Sequence, residues 1–98
     1  MEAYFRSQPG VGHEAALWLY ERGMAVLGTD TSGTEVMPMP DPERSTHVAM
    51  IVERGVHLVE IMDLEGIARD RVFEFLFIGL PLRITGGTGS WTRPVAVV

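Results

Sequence analysis

A histidine and a glutamate are the residues of this sequence best suited to hold a metal ion. His47 lies near the start of a predicted helix in the stretch THVAMIVERGVHLVE, and Glu60 lies on the strand predicted after it. Measured from Gly55, which separates the two elements, helix geometry places His47 about 12 Å away, and strand geometry places Glu60 about 16 Å away. A strand that returns beside its helix would bring the two side chains together. Imidazole and carboxylate are both zinc ligands, so the pair predicts half of a metal site.

The helix before Gly55 is predicted from its two ends. Asp41 is a typical N-cap residue, Pro42 suits the first helical position, and Glu43 opposes the positive end of the helix dipole. Gly55 suits the position just after the last turn. The pattern therefore predicts a helix from residue 42 to about residue 54, although the β-branched residues of VAMIV also favour a strand.

The elements around this stretch are predicted from hydrophobic runs and the turn residues between them. The proline-rich segment MPMPDP excludes regular structure, and the most hydrophobic run, VFEFLFIGL, predicts a central strand in which Glu74 needs a partner or a place near the start. DLEGIARDR predicts a short helical turn. In chain order, the predicted helices and strands are helix 13–22, strand 24–27, helix 42–54, strand 56–62, strand 72–80 and strand 93–98.

Composition restricts both the class of protein and the kind of site. With 98 residues, of which 46% are hydrophobic, the chain predicts one α/β domain over residues 1–98. It has no cysteine, so a metal would use His and carboxylate ligands, which suits zinc or manganese. A net charge of −5 with scattered basic residues argues against a nucleic-acid partner. No apolar run is long enough to span a membrane and no signal-peptide pattern begins the chain, so we expect a cytoplasmic protein.

Two further polar residues are candidates for contacts with a substrate or within the fold. Asp30 lies between two threonines and suits a catalytic acid, but an Asx turn is the commoner use of such a residue. Arg93 suits an ion pair with a carboxylate of the protein or of a substrate. His57 is predicted to lie on the strand face opposite Glu60, as a surface residue. GGTG predicts a turn, because it lacks the lysine and the following helix of a phosphate-binding loop.

Three segments of the chain, in order, carry a resemblance to a known family. PGVGHEAALWLYERGMAVLGTDT is similar to the pattern PGL-S-x-EAAxWLxxRGVxLVGxDT, and THVAMIVERGVHLVEIMDL is similar to H-x-x-LL-x-x-GV-x-hhE-x-hxxL, where h is apolar. FEFLFIGLPLRITGGTGSWTRPVAVV is similar to ALPLKI-x-G-x-x-GSPxRAVA, with Trp91 departing from its small rigid turn. These patterns belong to the cyclase family of metal-dependent hydrolases, which includes bacterial kynurenine formamidases.

The resemblance implies a hydrolase of formamides, amides or lactones on a mixed β-sheet with flanking helices, known as the swivelling β/β/α fold. It carries His47 and Glu60 over as metal ligands, with zinc or manganese as the expected metal. The family motif HxGTHxDxP supplies the principal ligands and has no counterpart in this sequence. The chain therefore resembles the C-terminal half of such an enzyme.

Two functions remain open from the sequence. In the first, the chain supplies part of the metal site of a hydrolase for a small amide or lactone, together with a complementary N-terminal half. In the second, it is a non-catalytic domain without metal that self-associates as a homo-oligomer and so covers its strand edges and apolar surface. We expect the chain alone to have no formamidase activity, to retain metal weakly and not to be a stable monomer.

Overall fold

The computed structural model of the protein describes residues 6–98. The first residues, which bear on the expected absence of a signal peptide, lie outside this range. The described chain is mixed α/β and divides after Asp63 into two units. Its elements are α1 (His13–Tyr20), β1 (Val26–Gly28), a 3₁₀ helix (Pro42–Arg44), a π-helix (Val48–Val52), β2 (His57–Val59), α2 (Glu65–Arg69), β3 (Leu76–Ile78) and β4 (Val95–Val97).

Helix α1 forms where the sequence predicts a helix, and Gly23 ends it. Gly23 has a φ of +88°, a backbone conformation that favours glycine. Its N–H donates to the carbonyl of Tyr20 at 2.9 Å, and the N–H of Met24 donates to the carbonyl of Leu19 at 3.3 Å. These two bonds make the Schellman motif that satisfies the last carbonyls of a helix. The predicted glycine cap is confirmed.

Strands β1 and β2 pair in parallel, with Leu27 opposite Leu58. The pairing continues past β1, because the N–H of Thr29 donates to the carbonyl of Val59 at 2.9 Å. β2 is shorter than the predicted strand 56–62, since Ile61 has a φ of +55° and breaks the strand conformation. The N–H groups of Ile61 and Met62 still donate to the carbonyls of Thr31 and Thr29, both at 3.0 Å. Glu60 therefore lies just after the strand, whereas the sequence predicts it within the strand.

The helix predicted over residues 42–54 is interrupted. The side chain of Asp41 accepts from the N–H of Glu43 at 3.0 Å, as the predicted cap requires, but only the 3₁₀ helix follows. Ser45 is extended (φ −60°, ψ 130°), and helical conformation resumes over residues 46–54. The prediction of one continuous helix is wrong because Glu35 accepts from the first two backbone N–H groups of the second segment and starts a new helix there.

The π-helix widens the end of this second segment by one residue. The N–H of Gly55 donates to the carbonyl of Ile51 at 3.3 Å, and the N–H of Val56 donates to the carbonyl of Met50 at 2.9 Å. These bonds span four and six residues, whereas the corresponding bonds at the end of α1 span three and five. The prediction that Gly55 ends this helical segment is confirmed, and each closing hydrogen bond spans one residue more than at the end of α1.

The hydrophobic core of residues 6–63 is small and lies among α1, β1, the π-helix and the start of β2. Met50 and Ala16 have no exposed surface, and partly buried side chains such as Leu17 and Leu58 pack against them. The buried apolar residues are Ala16, Leu27, Ala49, Met50 and Val56.

In residues 64–98, β3 and β4 pair in antiparallel fashion, with Phe77 opposite Ala96. All three side chains of β3 are exposed, and Glu74 is exposed as well. The predicted central strand 72–80 is therefore wrong: within the described chain only residues 76–78 form the strand, and β3 has one neighbouring strand. The most exposed apolar side chains of this unit are Phe73, Leu80, Trp91 and Val98.

The short helix predicted from DLEGIARDR is present as α2, and it ends without a glycine. Arg71 has a φ of +51°, and its N–H donates to the carbonyl of Ala68 at 3.2 Å. The N–H of Val72 donates to the carbonyl of Ile67 at 2.9 Å. This is again a Schellman motif, with Arg71 in a left-handed backbone conformation that residues other than glycine rarely adopt.

The α/β class holds, but the single mixed sheet expected from the resemblance does not form among residues 6–98. The strands make two separate two-stranded sheets, one parallel and one antiparallel, because each pairs only within its own unit. None of the helices in this range is long and apolar enough to cross a membrane.

Candidate functional site

The candidate site lies where the parallel strands β1 and β2 end. The loop after β1 carries Thr34 and Glu35, helical segment 46–54 begins with Thr46 and His47, and Glu60 directly follows β2. The carboxyl ends of parallel strands meet at one edge of a sheet, and ligands of α/β proteins commonly bind there. The chain therefore brings its candidate residues to an edge that suits a ligand.

The imidazole of His47 lies between two glutamates. Its Nδ1 is 2.6 Å from Oε1 of Glu35, and its Nε2 is 3.1 Å from Oε1 of Glu60. The His47 side chain is 39% exposed, Glu60 is 29% exposed and Glu35 only 11%. The structure brings His47 and Glu60 together on the open side of the ring, and their role as metal ligands stays a prediction.

Glu35 is the residue of this group that the sequence reasoning misses. It accepts hydrogen bonds from Ser45 Oγ at 2.7 Å, from the backbone N–H groups of Thr46 and His47 at 2.8 and 3.1 Å, and lies against the His47 ring. Burial by itself raises the pKa of Glu35, but these hydrogen bonds outweigh it and hold the pKa below its ordinary value of 4.5. Glu35 is therefore an ionised acceptor that fixes the start of the helical segment.

Glu60 is held from its other side by Thr34. The N–H of Thr34 donates to Oε1 of Glu60 at 2.7 Å, and its hydroxyl donates to the same oxygen at 3.0 Å. Thr34 is fully buried, so these bonds are sheltered from water. The adjacent residues Thr34 and Glu35 thus hold the two sides of the site, one at Glu60 and one at His47.

Gln8 fixes the loop that carries these two residues. Its Nε2 donates to the carbonyls of Gly33 and Glu35 at 2.7 and 2.9 Å, and its Oε1 accepts from Ser32 Oγ at 2.6 Å. Its backbone pairs with Met37 in both directions, at 3.1 and 3.0 Å. Gln8 is itself buried. Hydrogen bonds from Gln8, which is distant in the sequence, therefore hold this loop in one conformation.

The donor set on the open side of His47 fits a divalent metal as a partial site. Ligand atoms of a tetrahedral zinc with bonds of about 2.0–2.1 Å lie about 3.3 Å apart, and His47 Nε2 and Glu60 Oε1 are 3.1 Å apart. Glu35 binds the opposite nitrogen of the ring, so it does not face the same point. Accordingly, no group of three or more His, Cys, Asp or Glu side chains among residues 6–98 is arranged to hold a metal.

The other predicted polar residues lie elsewhere. Asp30 is exposed after β1, and its side chain makes no hydrogen bond or ion pair to the described chain; the local bond there is from Thr31 Oγ1 to the carbonyl of Gly33 at 2.6 Å. His57 is exposed on β2, as predicted. Arg93 belongs to residues 64–98, where it lines an open apolar depression with Ile78, Leu80, Leu82, Trp91 and Thr92. Roles for Asp30 and Arg93 in binding a substrate stay predictions.

One signal in the sequence points to Glu35. It is a lone carboxylate between Thr34 and the apolar residues Val36 and Met37, in a segment with no helical or strand period. If the apolar neighbours bury this segment, its carboxylate needs a partner. The sequence does not say that this partner is His47, because the pairing depends on the folded path of the loop.

Comparison with known proteins returned no match: no family model, no curated protein and no solved structure matches the chain.

Proposed function

We propose that this chain supplies His47 and Glu60 to the metal site of a hydrolase of the cyclase type. The observation that carries the proposal is the 3.1 Å separation of His47 Nε2 and Glu60 Oε1 at a partly exposed edge of the sheet. Each side chain is also held by a buried residue: Glu35 contacts the His47 ring, and Thr34 donates to the Glu60 carboxylate. The motif resemblance over the chain adds the family to the same proposal, with the swivelling β/β/α fold assigned to the complete enzyme formed with an N-terminal half. We propose a cytoplasmic location as well.

The reaction proposed is hydrolysis of a small formamide, amide or lactone, in which water adds across the C–N or C–O bond and yields an acid with an amine or alcohol. Bound zinc or manganese supplies Lewis acidity for the carbonyl and for water. His47 contributes Nε2 and Glu60 contributes a carboxylate oxygen to hold the metal or to orient the attacking water. Since two protein ligands leave most positions open, a complementary segment with an HxGTHxD motif provides the others.

Zinc titration of the purified chain tests the metal role of His47. The expected result is weak, saturable binding of one zinc per chain, measured by calorimetry, and loss of saturation in His47→Ala and in Glu60→Gln. His57→Ala is the matched control, because His57 is an exposed histidine on the adjacent strand. Absence of saturable binding, or equal binding by His47→Ala and the unaltered chain, contradicts the proposal.

Catalysis is tested with and without a complementary segment. The chain alone is expected to leave N-formylkynurenine unhydrolysed above the buffer rate, whereas a mixture with a polypeptide that carries the HxGTHxD motif is expected to hydrolyse it. Activity of the chain alone that disappears in His47→Ala would show that these residues suffice.

A second candidate function is a non-catalytic domain that self-associates without metal. The observation that favours it is the exposed apolar surface of β3, β4 and their flanking residues, which is unusual for a monomer. The partner in this reading is a second copy of the chain, pairing through the free strand edges.

Sedimentation tests the second candidate. The expected result is a concentration-dependent shift from monomer to oligomer that Leu80→Lys weakens, because it places a charge on an apolar side chain that is 76% exposed. Val52→Lys is the matched control, since Val52 is a similarly exposed apolar residue (77%) of residues 6–63. A single monomer species at all concentrations would rule out self-association.

A further inference from the structure

The two oxygens of the Glu60 carboxylate have different surroundings. The backbone N–H of Thr34 donates to Oε1 at 2.7 Å, and the Thr34 hydroxyl donates to the same oxygen at 3.0 Å. A carboxylate oxygen has about two lone pairs, so Thr34 alone occupies Oε1. This holds for any protonation state of the His47 ring, whose Nε2 lies 3.1 Å from Oε1. Oε1 is therefore the anchored oxygen of Glu60.

Oε2 of Glu60 is the available oxygen. It makes no hydrogen bond or ion pair to residues 6–98, where every such contact of this carboxylate is made by Oε1. Solvent also reaches Oε2, because the buried side-chain polar atoms without a hydrogen-bond partner in this range are His13 Nδ1 and Thr29 Oγ1. An accessible carboxylate oxygen without a protein donor is suited to bind a cation or a water molecule.

The backbone of Thr34 is itself fixed, so its two donors keep one direction. Thr34 is fully buried, and its carbonyl accepts from the N–H of Val11 at 2.8 Å. The carbonyls of the residues on either side of it accept from Nε2 of Gln8 at 2.7 and 2.9 Å. A carboxylate bound twice to such a rigid segment is restricted to one orientation.

We propose that Thr34 is the positioning residue of Glu60: it anchors Oε1 and so leaves Oε2 as the oxygen that binds the cation shared with His47. The anchoring is a property of the metal-free chain, while its use rests on the proposed function. Holding Glu60 in one rotamer before the ion arrives reduces the conformational entropy that binding would otherwise cost.

NMR of the metal-free chain tests the anchoring through the three-bond couplings about the Cα–Cβ bond of Glu60. We expect one rotamer in the unaltered chain, averaging among rotamers in Thr34→Val, which removes the hydroxyl, and one rotamer again in Thr34→Ser, which keeps it. Glu21, an exposed glutamate after α1, is the internal reference and should be averaged in all three proteins. Averaging of Glu60 in the unaltered chain, or unchanged couplings in Thr34→Val, overturns the proposal.

Glu60→Gln gives the same test without altering Thr34, and it decides the question if Thr34→Val does not fold. The side-chain amide keeps one oxygen to accept from Thr34 and places an NH₂ group where Oε2 lies. A single rotamer of the glutamine is therefore expected, together with loss of zinc binding. Rotamer averaging of this glutamine contradicts anchoring by Thr34.

Zinc titration of the threonine variants tests what the anchoring does. Thr34→Val is expected to bind zinc about 10-fold more weakly, at the lower end of the range for partners of metal ligands because the N–H of residue 34 remains. Thr34→Ser is expected to restore most of the affinity. Thr29→Val is the matched control, since it removes a buried hydroxyl that makes no hydrogen bond, and it should bind zinc as the unaltered chain does. Equal affinities of Thr34→Val and Thr29→Val contradict the positioning role.

The two kinds of measurement separate this proposal from the proposed function. If the unaltered chain binds no zinc while Glu60 keeps one rotamer that Thr34→Val releases, the metal role fails and the anchoring stands. If His47→Ala abolishes zinc binding while Thr34→Val leaves the affinity unchanged, the metal role stands and the positioning role of Thr34 fails.

Discussion

The two units of the chain use their side chains in opposite ways. In residues 6–63, polar side chains such as Gln8, Thr34 and Glu35 are buried and hydrogen-bonded, and a small apolar core lies beside them. In residues 64–98, the apolar side chains of β3 and β4 are mostly exposed. The first unit holds a local site with its own contacts, whereas the second carries an apolar surface that suits a partner. The positions of hydrophobic runs in the sequence therefore do not by themselves show where the core of this protein lies.

The largest expected contrast is between two truncations of apolar side chains. Met50→Ala removes a side chain with no exposed surface and is expected to lower the free energy of unfolding by about 3 kcal/mol. Leu80→Ala removes one that is 76% exposed and is expected to cost less than about 0.5 kcal/mol. Urea unfolding of both variants measures the difference. Equal losses would mean that Leu80 is buried in solution and would remove the contrast between the units.

A smaller effect is expected from a methyl group added beside the loop of the site. A Cβ at residue 10 would overlap the backbone of Glu35 and Val36, so Gly10→Ala must displace that loop. The expected loss of stability is about 2 kcal/mol, with weaker zinc binding. Gly12→Ala is the control, because nothing lies within 4 Å of its added Cβ, and its expected cost, from the weaker N-cap, is about 0.5 kcal/mol. Similar costs at both positions would show that the loop is not braced as described.

The lowered pKa of Glu35 gives a pH dependence confined to acid. A carboxyl group with a lower pKa in the folded than in the unfolded chain stabilises the fold fully above its ordinary value of 4.5, and the contribution disappears as pH falls through the folded-state pKa. Unfolding free energies of the metal-free protein below pH 4.5 should therefore fall more steeply than those of Glu35→Gln. Glu43→Gln should follow the unaltered chain. Parallel curves for Glu35→Gln and the unaltered chain would exclude this contribution.

The smallest effect is expected at the end of α2, in the second unit. Arg71→Gly relieves a left-handed conformation that costs a side chain about 1–2 kcal/mol, against about 1 kcal/mol for the added freedom of glycine in the unfolded chain, so a gain of about 0.5 kcal/mol is expected. Arg71→Ala keeps a Cβ and should give no such gain. Because Arg71 lies in residues 64–98, no change with glycine would indicate that this unit does not unfold cooperatively with the first.

Local signals in the sequence were sufficient for the parts of the fold that depend on neighbouring residues. Gly23 and Gly55 end helical segments as predicted, and Asp41 caps the 3₁₀ helix. The approach of His47 to Glu60 also follows from element order and spacing. Each of these predictions needs only the geometry of one turn, one helix or one parallel strand connection.

The features that could not be predicted depend on contacts between distant residues. Ser45 interrupts the predicted helix because Glu35, outside that helix, caps a second start. The roles of Thr34 and Gln8 likewise exist only once the loop after β1 is folded. The run VFEFLFIGL has the composition of a central strand, but burial requires a covering surface, and periodicity does not show whether the chain provides one.

The π-helix at Val48–Val52 makes the length of this segment as important as its residues. Deleting one residue there would allow a regular α-helix with better hydrogen bonds, and π-bulges are frequent at functional sites despite that cost. The same deletion would rotate His47 by about 100° around the helix axis relative to Gly55. The ring would then leave both Glu35 and Glu60. In this chain, the extra residue of the π-helix is therefore expected to be required for the contacts of the imidazole with its two carboxylate neighbours.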